Sequence, residues 1–269
     1  MRTAFRWIFR LFLLALLAVI LLIAHTLLFK PLKSDWFYER VFVEYGFQDP
    51  QMMSSMRMLP SWMDWYSDDL TDQSLAQERK MQVKLKKDLA TLQKYDRKGM
   101  NESDALNYDM LQYFLAIQVE GEKYAHHNYP LNQLFGIQNE FPTFMATQHP
   151  VESEADAENY LARLGKTPAM VDQVMEGLLV REREKILPPT FVVEKVLKEM
   201  RAFVAVPPAQ NILYTSLAEK FDKAGESAVS AAQRKDLLAR TETAIRDKVY
   251  QEYGKFIAYY DKLLPKSTG

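Results

Sequence analysis

The run from Leu11 to Phe29 constrains this chain more than any other stretch. It holds 19 residues, broken only by His25 and Thr26, and follows Arg2, Arg6 and Arg10. At about 1.5 Å per residue such a helix is roughly 28 Å long, close to the roughly 30 Å hydrocarbon core of a bilayer. A cleaved signal peptide would carry a shorter apolar core followed by a small-x-small site. Leu11–Ala24 alone would suit such a core, but Leu22 and Ala24 do not form an Ala-x-Ala site, and apolar character returns at Leu27, Leu28 and Phe29. The segment is therefore expected to be an uncleaved anchor. Three arginines before the span, against Lys30 and Lys33 after it, favour a cytoplasmic N-terminus with the body on the opposite side.

That body is expected to fold. Of 269 residues, 48% are hydrophobic and 26% charged, the range of ordinary globular domains. The 34 basic residues are balanced by 35 acidic ones, so no net field draws in nucleic acid, and no nucleic-acid partner is expected. The absence of cysteine removes disulfides, thiolate nucleophiles, sulfur-ligated zinc and a lipidated N-terminal Cys.

Beyond Ser34 the pattern reads as helix after helix. Only 9 glycines occur in the chain, and apolar residues recur at spacings of three and four. Asp49-Pro50 predicts a cap and first turn for a short segment from Met52 to Leu59, closed by Pro60. A stripe of Leu75, Met81, Leu85, Leu89 and Leu92 predicts an amphipathic helix from Ser74 to about Tyr95. Asn101 and its polar neighbours cap the next, whose apolar face runs from Leu106 to Val119 before Gly121; the short turn favours an antiparallel pair. Ser153 caps a helix closing at Leu164. Pro168 starts another that reaches about Ile186, and Pro188-Pro189 separates it from one ending at Pro207-Pro208. A last periodic segment extends from about Ala228 to Leu264. The expected fold is all-α, with residues 1–33 a cytoplasmic tip and transmembrane anchor and residues 34–269 one multi-helix domain.

No motif supplies a complete catalytic set. Helical zinc hydrolases place two histidines on one helix face, usually as His-Glu-x-x-His. The four histidines here are His25 in the span, the adjacent His126 and His127, and His149. Adjacent side chains on a helix diverge by about 100°, so the pair is a poor ligand set. A Gly-x-Ser-x-Gly elbow and a phosphate-cradling glycine loop are both missing. Acidic clusters at Asp68-Asp69, Glu152–Glu158 and Glu182–Glu184 read as caps, dipole partners or solvated faces. Trp62, Trp65 and Tyr66 read as core contacts rather than an interfacial belt. The stretch from Tyr124 to Pro142 differs, because it sets amides, aromatics, two histidines and a glycine in an irregular segment between helices. That composition suits a loop presented to a ligand, or a structural loop whose amides satisfy its own backbone.

The same stretch carries a family resemblance. His127-Asn-Tyr-Pro-Leu-Asn-Gln-Leu-Phe-Gly136, followed by His149-Pro150 and Tyr160-Leu-Ala-Arg-Leu164, resembles the bacterial family called domain of unknown function 885. Asn107-Tyr-Asp-Met-Leu111 and Leu187-Pro-Pro-Thr-Phe-Val-Val-Glu194 fit its pattern too, and the resemblance runs from about Leu70 to the C-terminus. It implies an α-helical protein, often exported or lipid-anchored, similar in fold to helical zinc metallopeptidases and pointing to a zinc-dependent peptidase or hydrolase. It further implies a longer protein, whose zinc is held in the C-terminal half by a His-Glu pair with a Gly-His nearby. Those residues have no counterpart in this sequence, so no catalytic residue, metal ligand or cofactor is assigned to it. The chain is expected to correspond to the N-terminal part of such a protein and to be inactive alone. A domain cut through its core leaves an apolar face uncovered, which favours self-association or a protein partner.

Two functions follow as expectations. One is the N-terminal part of a zinc peptidase-like envelope protein, single-pass in the bacterial inner membrane with its body periplasmic, in which His127, Asn132 and Gln133 line a substrate groove. The other is a membrane-tethered helical binding or scaffold module that acts through a partner protein.

Overall fold

The computed structural model describes residues 2–268, apart from the side chains at 2–4 and 61; Met1 and Gly269, the outermost residues of the two expected segments, lie outside the described residues. Helix makes up 76% of the chain, and no strand occurs among the described residues, as the all-α reading requires. The α-helices in order are α1 (Arg2–Leu28), α2 (Ser34–Gly46), α3 (Pro50–Met56), α4 (Leu75–Leu92), α5 (Glu102–Glu120), α6 (Ile137–Thr147), α7 (Glu154–Gly165), α8 (Thr167–Arg183), α9 (Thr190–Ala205), α10 (Ile212–Ala224), α11 (Ala231–Ala244) and α12 (Tyr250–Leu263). They gather into two compact units, Met1–Tyr45 with Lys80–Lys123 and Gly46–Arg79 with Tyr124–Gly269.

In the first unit, α1 contains a stretch, Phe5–Leu28, of 24 residues with mean hydropathy 2.9, none of it buried in the chain. It is long and apolar enough to cross a membrane. Its C-terminal end is tied to α2, where the buried Arg40 donates to the carbonyls of Thr26 and Phe29 at 2.9 and 2.7 Å. The Thr26 carbonyl belongs to the last turn of α1 and that of Phe29 follows it directly, where no intrahelical donor is available. Phe37, Val41, Leu85, Leu92, Tyr108 and Leu115 form the core of this unit, joining α2, α4 and α5. α2 lacks a propensity signal, since Trp, Phe, Tyr and Val are middling helix formers, and its form follows from burial of Phe37 and Val41.

The second unit holds the larger core, built from α6 to α12 around Tyr160, Val171, Val193, Leu213, Phe221, Tyr253, Phe256 and Tyr260. The caps fall where the sequence places them: Asp49, Asn101 and Ser153 each accept from a backbone N–H of the first turn of α3, α5 and α7. α3 ends earlier than Pro60, because Arg57 adopts a left-handed conformation (φ 45°). The segment after Ala228 is two helices in line, joined by a π turn over Ile245–Val249. Trp62 and Trp65 correct the expectation of core contacts, being 81% and 59% exposed, and only Tyr66 is buried. The Tyr66 backbone carbonyl accepts from Arg163, and Trp65 sits edge-on to Phe47 and Tyr66 while most of its own surface stays exposed.

Candidate functional site

Two polar assemblies lie in the second unit. The first is closed. Arg163, on α7, is fully buried and spends its donors on the carbonyls of Asp69 (2.8 Å), Pro50 (3.2 Å) and Tyr66 (3.4 Å), on Ser54 Oγ (2.6 Å) and on His149 Nδ1 (2.7 Å). Phe144 lies under the guanidinium, 4.9 Å from its centroid. Because Nδ1 of His149 accepts from an arginine, the imidazole proton sits on Nε2 and is donated to the carbonyl of Asp156 at 3.0 Å. Burial and then the charge of Arg163 push the His149 pKa down to about 3, so the ring stays neutral. Burial likewise lowers Arg163 to about 10 and Lys220 to about 8; Lys220 donates to the carbonyls of Met145 and His149. Every one of these groups is matched within the chain.

The second assembly is open, and the motif loop builds it. Asn132 organises the loop: its Oδ1 accepts from the N–H groups of Leu134 and Phe135 at 2.9 and 2.8 Å, and its Nδ2 donates to the Tyr129 carbonyl at 2.9 Å. Gly136 is required by close approach, since a Cβ there would lie 2.1 Å from Gln138 Oε1 and 2.4 Å from the Asn132 backbone nitrogen. Three side chains from elsewhere clamp the backbone. Arg181 donates to the carbonyls of Ala125 and Asn128, Tyr260 to that of Leu131, and Gln138 to that of Asn132. From Ile137 onward the chain is helical, which corrects the reading of an irregular stretch through Pro142. A proline at that position deprives the Gln138 carbonyl of its helical donor, and Tyr253 Oη supplies one instead at 2.8 Å.

Between this loop, the start of α4, and α8 opens a groove of about 440 Å³. Its polar wall includes Gln73, Glu78, Asn128, Asn132, Glu140, Gln173 and Arg181. At the rim Phe135 is 75% exposed. Although Glu140 as a residue is exposed, its carboxyl is sheltered enough for desolvation to raise its pKa. Neither Glu78 nor Glu140 enters an ion pair among the described residues. Arg181 is the cation nearby, and its N–H groups are turned to backbone carbonyls; burial lowers its pKa, which the charges of Glu78 and Glu184 partly offset.

Of the residues expected at a substrate groove, Asn132 lies in its wall. His127 is exposed and sits edge-on to Tyr124 at 5.6 Å, and the half-buried Gln133 is likewise outside the lining. Glu78, Glu140, Gln73, Gln173 and Arg181 were not foreseen, since they come from three helices and a linker far apart in sequence. The acidic clusters behave as surface groups: Asp68 and Asp69 pair with Lys166, Glu152 with Arg57, Glu158 with Arg240, Glu182 with Lys266 and Glu184 with His126.

Among the described residues no group of three His, Asp or Glu could hold a metal ion, and both ring nitrogens of His149 are already engaged.

The sequence profile of the family described as "Bacterial protein of unknown function (DUF885)" matches residues 50–269, beginning upstream of Leu70. Among solved structures the chain is similar to the "putative lipoprotein from Colwellia psychrerythraea", with a TM-score of 0.75 and 15% identity over 87% of this chain and 42% of that one. At this identity the likeness is one of fold. The chain thus spans less than half the length of that neighbour. A comparison with curated proteins finds no match.

Proposed function

The chain belongs to the DUF885 family, and we propose that it is a membrane-tethered binding module of the bacterial envelope whose polar groove takes a short, positively charged peptide segment. The observation that carries this reading is the groove itself. Glu78 and Glu140 line a cavity of about 440 Å³ and enter no ion pair among the described residues, beside amides at Gln73, Asn128 and Gln173 and the guanidinium of Arg181, whose N–H groups are turned to backbone carbonyls. A carboxylate sheltered from water, as that of Glu140 is, favours a cation as partner, and amides can both donate to and accept from a peptide backbone. The volume falls within the roughly 300–1,000 Å³ of small-ligand sites. α1 would hold the module in the inner membrane, its arginine-flanked end cytoplasmic and the remainder periplasmic.

A second reading is favoured by the chain spanning 42% of its structural neighbour. In it the module is the N-terminal part of a longer, zinc peptidase-like envelope protein. The groove forms one wall of a substrate cleft, His127 and Gln133 contact substrate outside it, and metal and catalytic groups come from outside this chain.

Fluorescence anisotropy of the full chain in detergent micelles tests both, using labelled tetrapeptides that carry one lysine, no charge, or one glutamate. The lysine peptide is expected to bind tightest, and Glu78→Gln with Glu140→Gln to weaken it at least about tenfold. Equal affinity for all three peptides, or none, would sink the groove as a cation site. Hydrolysis of the peptide by the chain alone would count against both readings.

A further inference from the structure

α5 is apolar on two sides. Ala105, Tyr108 and Leu115 are buried, the last two in the core of the first unit. On the opposite side Leu106, Met110, Tyr113 and Ile117 are 58%, 62%, 71% and 46% exposed. Their spacings of four, three and four residues are those of a heptad seam. Beside it Phe42 of α2 and Phe114 are half exposed and border an open, mainly apolar groove of about 850 Å³. A helix that is hydrophobic all round is ordinarily a buried one.

The uncovered area says what kind of contact suits it. These six side chains leave on the order of 700 Å² of largely apolar surface, more than a monomer ordinarily shows and close to the roughly 800 Å² each partner gives a standard interface. Charge says the same. Between the acidic first turn, Glu102 and Asp104, and Glu120 at the end, α5 carries one charged residue, Asp109, and it is paired with Arg97. No charged residue stands at the four seam positions to repel an identical seam; the acidic side chains of the bordering groove, Asp35 and Glu39, belong to α2.

We propose that this face is a homodimer interface, in which α5 of one copy packs against α5 of a second across a two-fold axis. A heptad seam offers holes of the geometry its own knobs fill, so the second copy is the occupant that the spacing, the area and the lack of charge all match. The two helices run antiparallel, because a parallel pair would set the acidic first turns side by side. Met110 and Tyr113, at the middle of the seam, then lie near their own counterparts. The same unit carries α1, so a shared membrane would raise the effective concentration of one copy for the other.

Sedimentation of the full chain in detergent micelles, over a range of protein concentration, tests the proposal. A dimer is expected, and Met110→Glu with Phe114→Glu should weaken association at least about tenfold while leaving the melting transition in place. Should that double variant fail to fold, Tyr113→Glu gives the same readout at the most exposed position. The chain has no cysteine, so Tyr113→Cys should yield a disulfide-linked dimer under mild oxidation and Lys235→Cys on α11 should not. A wild-type monomer throughout, or a dimer that survives both glutamate variants and leaves Tyr113→Cys uncrosslinked, would overturn it.

Discussion

The closed hub around Arg163 and the open groove of the motif loop belong to the same unit and draw on the same polar residue types, yet they handle charge in opposite ways. Around Arg163 each donor meets a carbonyl, a hydroxyl or a ring nitrogen, and the carboxylates nearby act only at a distance. In the groove, Glu78 and Glu140 enter no ion pair among the described residues, and the arginine beside them, though it feels the charge of Glu78, has its N–H groups committed to backbone carbonyls. A satisfied polar network specifies a fold, and a partly satisfied one at a surface is prepared for something else. Changes in the hub should therefore cost stability, and changes in the groove should cost binding.

The contrast can be broken most forcefully at Arg163. Arg163→Met removes the donors of four backbone or side-chain acceptors and of His149 in one step, and should lower unfolding free energy by about 3–5 kcal/mol in urea titration. A loss under about 1 kcal/mol would mean that the hub is not what holds α3 and α7 together.

Gly136→Ala tests the loop that walls the groove. Its Cβ would meet Asn132 and Gln138 at distances no packing tolerates, so the loop must shift. An expected cost of about 1–3 kcal/mol should come with loss of peptide binding, and retention of both properties would show that the loop is not the groove's rigid wall.

His149 sharpens the comparison through pH. Its folded pKa, near 3, lies below the ordinary histidine value, so the unfolded chain binds the proton more readily between about 6.5 and 3. The stabilisation is complete above about pH 6.5 and is lost as pH falls, at about 1.4 kcal/mol per unit. His149→Gln, which keeps an acceptor and a donor, should start less stable at pH 7.5 and have its deficit against the wild type narrowed by about that amount near pH 5.5. Parallel curves for the two proteins would mean that the ring is not held neutral.

The smallest effect is expected where function should reside. Glu78→Gln and Glu140→Gln are each predicted to change stability by no more than about 0.5 kcal/mol, against the binding loss described above. A large stability change in a thermal melt would place these carboxylates with the hub and remove the distinction.

Much of the fold could be read in the sequence, because its signals are local. Asp49, Asn101 and Ser153 cap helices through contacts within three residues, and the stripe of α4 and the apolar span of α1 need no knowledge of the rest. α2 and α10 were missed: α2 has no propensity signal, whereas α10 does carry one, Leu213, Leu217 and Phe221 at helical spacing between the Asn211 cap and Gly225. The division into two units was not legible either, because one boundary falls inside α4, where no break in composition marks it.

The site divides along the same line. The sequence by itself determined the helical class, the membrane-length span and the loop from His127 to Gly136, since these depend on neighbours in the chain. Only the tertiary structure decided that Asn132 faces the groove while His127 and Gln133 lie outside its lining, that His149 serves Arg163, and that Glu78, Glu140 and Arg181 meet at one cavity. Those facts rest on side chains brought together from different elements of the chain, and the distances between them are set by packing among helices, to which no local pattern responds.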